Sequence, residues 1–183
     1  MSLFKNHFRI ESARLKTWDY RNSAWYFVTI NTNNHIEYFG KVKNGKVELN
    51  EIGKIAMKYW LEIPDHFPYV ELDYYIIMPN HIHGVTILNS KDVACNVSTN
   101  SNNVYSDISP KKCSLSSVIR SYKSAVTKWC NKSKIHFEWQ PRFFDRIIRN
   151  EKELYNIRKY IQQNPLKWNL EKENPDNIDW GSI

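Results

Sequence analysis

Glycine is scarce, with 5 in 183 residues. No Gly-rich phosphate loop can be drawn from them, which removes nucleotide binding of the P-loop kind. Cysteine is rarer still. Cys95, Cys113 and Cys130 are odd in number and far apart, so they fit neither a disulfide framework nor a CxxC metal knuckle. They read as reduced thiols of a cytoplasmic protein. No apolar run approaches the ~18 residues that a membrane span needs, and Met1-Ser2-Leu3-Phe4-Lys5 does not open a signal peptide. No carboxylates fall at HxxE or DxD spacing, and no GxSxG or Cys/His arrangement occurs. Two-metal nuclease chemistry and acyl transfer are therefore disfavoured.

What the chain does have is positive charge and aromatic rings. Lys and Arg number 26 against 19 Asp and Glu, a formal charge of +7. Trp, Tyr and Phe make up 14%. Cations beside rings suit a surface that neutralises phosphates and stacks bases, although most of the rings are expected to fill the core. Hydrophobic residues at 42% are enough for a core, and the length suits one domain over residues 1–183.

The periodicities give an order of elements. Ala24 to Thr32 is rich in aromatic and β-branched residues and reads as a strand. Asn44-Gly45 signals a hairpin between Tyr38–Val42 and Lys46–Leu49. Asn50 then caps a helix with Ile52, Ile55, Ala56, Tyr59 and Ile63 on its apolar face, ending at Pro64. Tyr69–Met78 and His81–Leu88 read as two antiparallel strands joined through Pro79-Asn80. A polar stretch at about 89–112 reads as a surface insertion. Ser114 caps a second helix with Leu115, Val118, Ile119, Tyr122, Val126 and Trp129 inward. Arg142–Arg149 reads as a strand, and Asn150 with Glu153 as a capping box opening a third helix that ends near Asn164-Pro165. From about residue 171 the tail reads as irregular. Strand, helix, strand, strand, helix, strand, helix is the α+β, ferredoxin-like split βαβ order, with an antiparallel sheet and an appended C-terminal helix.

Four groups of residues can carry chemistry. His81 and His83, two apart on a strand, share one face at roughly 7 Å between Cβ atoms, close enough to share a divalent ion; Ile82 points to the core. They also fit a solvated strand face. Tyr160 and Asn164 are neighbours on one helix face. They fit either a core tyrosine with a capping amide, or a phenol nucleophile with a metal-competent amide. Tyr155 is the competing nucleophile, with Lys159 rather than an amide four residues on. Trp139, Arg142 and the rings Phe143 and Phe144 suit either a nucleic-acid groove or the core. Arg120, Lys123 and Lys128 on the second helix, with Arg149, suit either phosphate contacts or a solvated face.

Met78-Pro79-Asn80-His81-Ile82-His83-Gly84, Trp139-Gln140-Pro141-Arg142-Phe143-Phe144-Asp145 and Tyr160-Ile161-Gln162-Gln163-Asn164-Pro165 with Trp168 stand in this order. As a set they resemble the REP-associated tyrosine transposases, a branch of the single-tyrosine HUH transposases (histidine, bulky hydrophobic, histidine). The resemblance runs from about residue 10 to residue 170, with Asp19-Tyr20 and Trp25–Ile30 on the first strand. Two features depart from it: Arg146 stands where many relatives have His, and the insertion is longer than expected.

The resemblance implies Tyr160 as nucleophile, and His81, His83 and Asn164 as ligands of Mg²⁺ or Mn²⁺. It implies single-stranded DNA with imperfect hairpins as partner, cut and rejoined through a 5′-phosphotyrosine by a cytoplasmic protein with no membrane partner. Monomer and homodimer both remain open. A non-catalytic binder of structured DNA or RNA and a replication-initiator nickase are the alternative readings.

Overall fold

The computed structural model describes residues 3–4, 7–8, 17–89 and 113–173. The expected insertion, apart from Asn89, and residues 174–183 of the expected tail lie outside them. Two short strands, β1 (Leu3–Phe4) and β2 (His7–Phe8), pair with each other. The central sheet is built from β3 (Ala24–Asn31), β6 (Val70–Ile77), β7 (His81–Leu88) and β8 (Phe144–Ile148). Its order is β6-β7-β3-β8, antiparallel throughout, with β7 inserted between the two strands of the βαβ unit. This is the ferredoxin-like split βαβ arrangement, as the element order predicts.

Strand periodicity explains the layering. On β3, Tyr26, Val28 and Ile30 face one side and join Ile82 of β7 in the main core. That side is covered by α1 (Glu51–Leu61) and α3 (Leu115–Lys132), which supply Ala56, Trp60, Leu115, Val118, Ile119 and Tyr122. Phe27 and Val85 face the other side and pack with Ile157, Tyr160 and Ile161 of α4 (Glu151–Glu173). The two cores are separated by the sheet, so alternate residues of one strand report to different helices.

Local signals set most boundaries. Asn50 Oδ1 accepts from Gly53 N at 2.9 Å and starts α1. Ser114 and Ser117 close a reciprocal box at the start of α3. β4 (Gly40–Lys43) and β5 (Lys46–Leu49) turn at Asn44 and Gly45, whose φ of 51° and 69° are the left-handed values this hairpin turn requires. Asn150 Oδ1 accepts from Glu153 N at 2.8 Å. Glu153, however, does not complete the expected box with Asn150; its carboxylate reaches one residue further, to Arg149 N at 2.9 Å, and also takes Arg146 Nε.

Three expectations are corrected. Pro64 does not end the first helix: α1 stops at Leu61, and Pro64 lies in the first turn of the short α2 (Ile63–His66), where a missing N–H leaves nothing unpaired. Pro165 does not end α4, which continues to Glu173. Interior proline costs ~3 kcal/mol, but Asn164, Pro165 and Trp168 extend the buried stripe of this helix, and that packing carries the chain past it. Of the three expected free thiols, Cys130 is free and buried, whereas Cys113 is disulfide-bonded, since distance along the chain says nothing of distance in space. No helix among the described residues is long and apolar enough to cross a membrane.

Gly84 is a close-approach position between the two layers. A Cβ there would stand 2.3 Å from the Trp60 ring, which is fully buried. Gly84→Ala is expected to lower stability by about 1–3 kcal/mol through overpacking, read as a shift of the urea midpoint. An unchanged midpoint would show that the indole has room to move.

Candidate active site

The register of β3 against β7 sets two histidines on the α4 side. His81 lies opposite Asn31 and His83 opposite Thr29, while Ile82 is wholly buried on the other side. The rings lean together, with centroids 4.5 Å apart. Each has its Nδ1 occupied. Asn80 donates from Nδ2 to the His35 carbonyl at 3.1 Å, which turns its Oδ1 toward His81 Nδ1 at 2.6 Å. That nitrogen must be the protonated one, leaving the His81 Nε2 lone pair exposed to the site. Thr29 Oγ1 stands 2.9 Å from His83 Nδ1 and can take the same part there.

Helix α4 closes the other wall. Tyr160 Oη is 3.3 Å from His83 Nε2, and the two rings lie 5.2 Å apart. Phe27 meets Tyr160 edge-on at 6.2 Å and stacks on His83 at 5.3 Å, fixing both rings. One turn on, Asn164 has no exposed surface, and neither its Oδ1 nor its Nδ2 makes a hydrogen bond. Because α4 runs through Pro165, Trp168 arrives over His81, at 5.8 Å between centroids. Tyr155, the competing phenol, is 65% exposed and makes no contact with either histidine.

Electrostatics keep both imidazoles neutral. Burial draws His81 down to about 4, opposed in part by the nearby Asn164 amide and slightly reinforced by His35. Burial, then the His81 charge, holds His83 well below its usual 6.5. Neutral imidazoles can be metal donors through a ring nitrogen. An amide buried without partners costs about 1–3 kcal/mol, and a cation bound by its oxygen would remove part of that cost. Among the described residues no group of three His, Cys, Asp or Glu is close enough to hold an ion. The donor atoms gathered on this face are those of His81, His83 and the Asn164 side chain.

The other expected residues disperse. Arg120 and Lys128 flank an open groove of about 460 Å³ along α3, on the sheet face away from the histidines. Lys123 donates to the carbonyls of Gln140 and Arg142 at 2.7 and 2.9 Å and lies over the Trp139 ring, with burial lowering it to about 8. Trp139 returns a bond from Nε1 to Lys123 O and packs against Phe39, Tyr122 and Phe137, so its ring belongs to the core. Arg142 and Arg149 are exposed at opposite ends of β8, Arg142 at the end nearer His81. Sequence reasoning missed Thr29 and Asn80. Asn80 adjoins His81 and could have been found; Thr29 needs the strand register.

No family model matches the chain. It is 35% identical over 159 residues to an uncharacterized protein of Haemophilus influenzae, covering 86% of this chain and 88% of that one. Its structure is similar to that of a REP-associated tyrosine transposase solved with a REP hairpin bound. That match covers 87% of this chain and 74% of the other at 20% identity, with a TM-score of 0.57, a likeness of fold.

The buried amide gives a first prediction. Asn164→Leu should leave the metal-free protein as stable as the parent, or more so, while weakening Mn²⁺ binding at least tenfold by calorimetry. A clear loss of thermal stability with Mn²⁺ affinity unchanged would mean that the amide serves the fold. The histidines give a second. Below pH 6.5 they take up protons in the unfolded chain that the folded chain refuses, so stability falls as pH drops from about 6.5 toward about 4. In His83→Gln the urea midpoint should depend less steeply on pH across that window; an identical slope would contradict the assignment.

Proposed function

Since the chain belongs to one family with the Haemophilus influenzae protein and shares its fold with a REP-associated tyrosine transposase, we propose that it cuts and rejoins hairpin-bearing single-stranded DNA, with Tyr160 as nucleophile. The observation that carries this reading is the placement of the Tyr160 oxygen 3.3 Å from His83 Nε2, beside the fully buried and unpartnered Asn164 amide.

In this reading His81, His83 and Asn164 would hold one divalent ion, Mg²⁺ or Mn²⁺. When bound, such an ion would supply positive charge favouring a phosphate and the phenolate. The residues of the chain do the rest. Phe27 fixes the Tyr160 ring by edge contact, Trp168 covers His81, Asn80 fixes the His81 tautomer, and Thr29 holds the His83 ring through its Nδ1. The Tyr160 oxygen attacks phosphorus in line and releases its proton to water. The bond from phosphorus to the 3′ oxygen breaks, and that oxygen leaves as a hydroxyl after taking a proton from water. The products are a 5′-phosphotyrosine and a free 3′-hydroxyl, which can attack back to rejoin strands. The phosphotyrosine keeps the bond energy, so no nucleotide site is required.

Phosphate contacts outside the site fall to the exposed cations, with Arg142 nearest the His81 end of the sheet. Lys123, turned onto backbone carbonyls, supports the loop that carries Arg142.

Incubation with hairpin-bearing single-stranded DNA and Mn²⁺ should give a covalent adduct on denaturing gels. Tyr160→Phe and His81→Ala are expected to lose it by at least 10³-fold, and Tyr155→Phe to keep it. Hairpin binding with no adduct on any hairpin would instead support a non-catalytic binder.

A further inference from the structure

Helix α4 is tied to both edges of the sheet by ion pairs. At its first turn Glu153 meets Arg146 of β8 at 2.6 Å, with the Glu153 side chain only 11% exposed. About one and a half turns later Arg158 Nε meets Asp73 of β6 at 2.8 Å, with the Asp73 side chain 15% exposed. β8 and β6 are the outermost strands of the sheet. At ~100° per residue, Glu153 falls within the buried stripe of Ile157, Tyr160, Ile161 and Asn164, close to the direction of Tyr160, whereas Arg158 lies beyond the Ile161 edge of that stripe. The pair of ties therefore resists rotation of the helix about its own axis.

The Arg158 end is a built socket. The register of β6 against β7 shifts between Leu72 and Tyr75, so that Asp73 and Tyr74 together oppose the single residue Val85. The guanidinium is bonded to Asp73 and lies 5.2 Å from the Tyr74 ring centroid and 5.9 Å from that of Trp25. A planar, always-charged fork suits a site with one carboxylate and two ring faces; an ammonium does not.

We propose that Arg158 is a positioning residue for Tyr160. Seated in the Asp73–Tyr74–Trp25 socket, it fixes the rotation of α4 and with it the aim of the phenol two residues later. The leverage is large: at a helix radius of 5–6 Å, a 20° turn moves a side chain by about 2 Å. A misplacement of ~1 Å can cost about 10²-fold in rate. The proposal rests on the reading of Tyr160 as nucleophile, so its test has one arm on chemistry and one on the helix itself.

Single-turnover adduct formation at saturating hairpin DNA is compared for the parent, Arg158→Gln, Arg158→Lys and Asp73→Asn, alongside hairpin Kd and Mn²⁺ affinity. The expected result is a rate lower by tenfold or more in Arg158→Gln and Asp73→Asn. Kd and Mn²⁺ affinity should stay within about twofold, and Arg158→Lys should recover only part of the loss. If Arg158 instead contacts DNA, Kd weakens and Asp73→Asn cleaves at the parental rate, which overturns the proposal. So does a parental rate per folded molecule, measured by circular dichroism, in all three variants. If the parent forms no adduct, the reading of Tyr160 fails, and the helix is read alone by hydrogen exchange. Faster exchange along α4 in Arg158→Gln, with β3 and β7 unchanged, keeps the socket as the device that sets α4; equal exchange overturns it.

Discussion

The pairing of β3 with β7 is the constraint on which the site depends. It is an in-register antiparallel ladder from Ala24–Leu88 to Asn31–His81. A slip of one residue would send His81 and His83 into the α1/α3 core and turn Ile82 toward α4. The register is held by what lies on the far side. Tyr26, Val28, Ile30 and Ile82 are wholly buried there, and Gly84 admits the Trp60 ring against the sheet. The apolar layer that makes the fold stable thus also aims the polar layer that can do chemistry.

The polar layer violates the rules of a stable core in a consistent way. Two imidazoles are kept neutral by burial, an amide is buried without a partner, and a phenol is set against one ring nitrogen. Each is a local cost, and all four meet in one place beneath α4. Departures that cluster in this way are expected where a site has been preorganised for a ligand. The ties at Arg146–Glu153 and Arg158–Asp73 hold α4 over that place from both edges of the sheet.

Much of this was legible in the sequence, and the residues show why. Period-two alternation in β3 and β7, the Asn44-Gly45 turn and the caps at Asn50, Ser114 and Asn150 act within a few residues, so they declare themselves locally. His81, His83, Tyr160 and Asn164 could be named from spacing together with the family resemblance. What spacing could not supply was the other side of each contact. Thr29 and His83 are 54 positions apart, and Asp73 and Arg158 are 85. Pro165 misled because the local rule against interior proline takes no account of the packing beyond it, out to Trp168. The basic stripe of α3 reads as one face with any of several partners; only the fold shows it on the sheet face opposite the histidines. The opening contrast of few glycines with many cations and rings also resolves unevenly. Trp139 and Lys123 belong to packing, while Arg142 and Arg149 remain exposed.

The central claim is that one phenol, Tyr160, bonds to DNA. Its most direct test is to trap the adduct with hairpin-bearing single-stranded DNA and Mn²⁺, digest both polymers, and map the nucleotide-bearing peptide by mass spectrometry. The account predicts a 5′-linked nucleotide on Tyr160 and on no other residue. A nucleotide on Tyr155, or on any residue outside the face of α4 that meets His83, would contradict it.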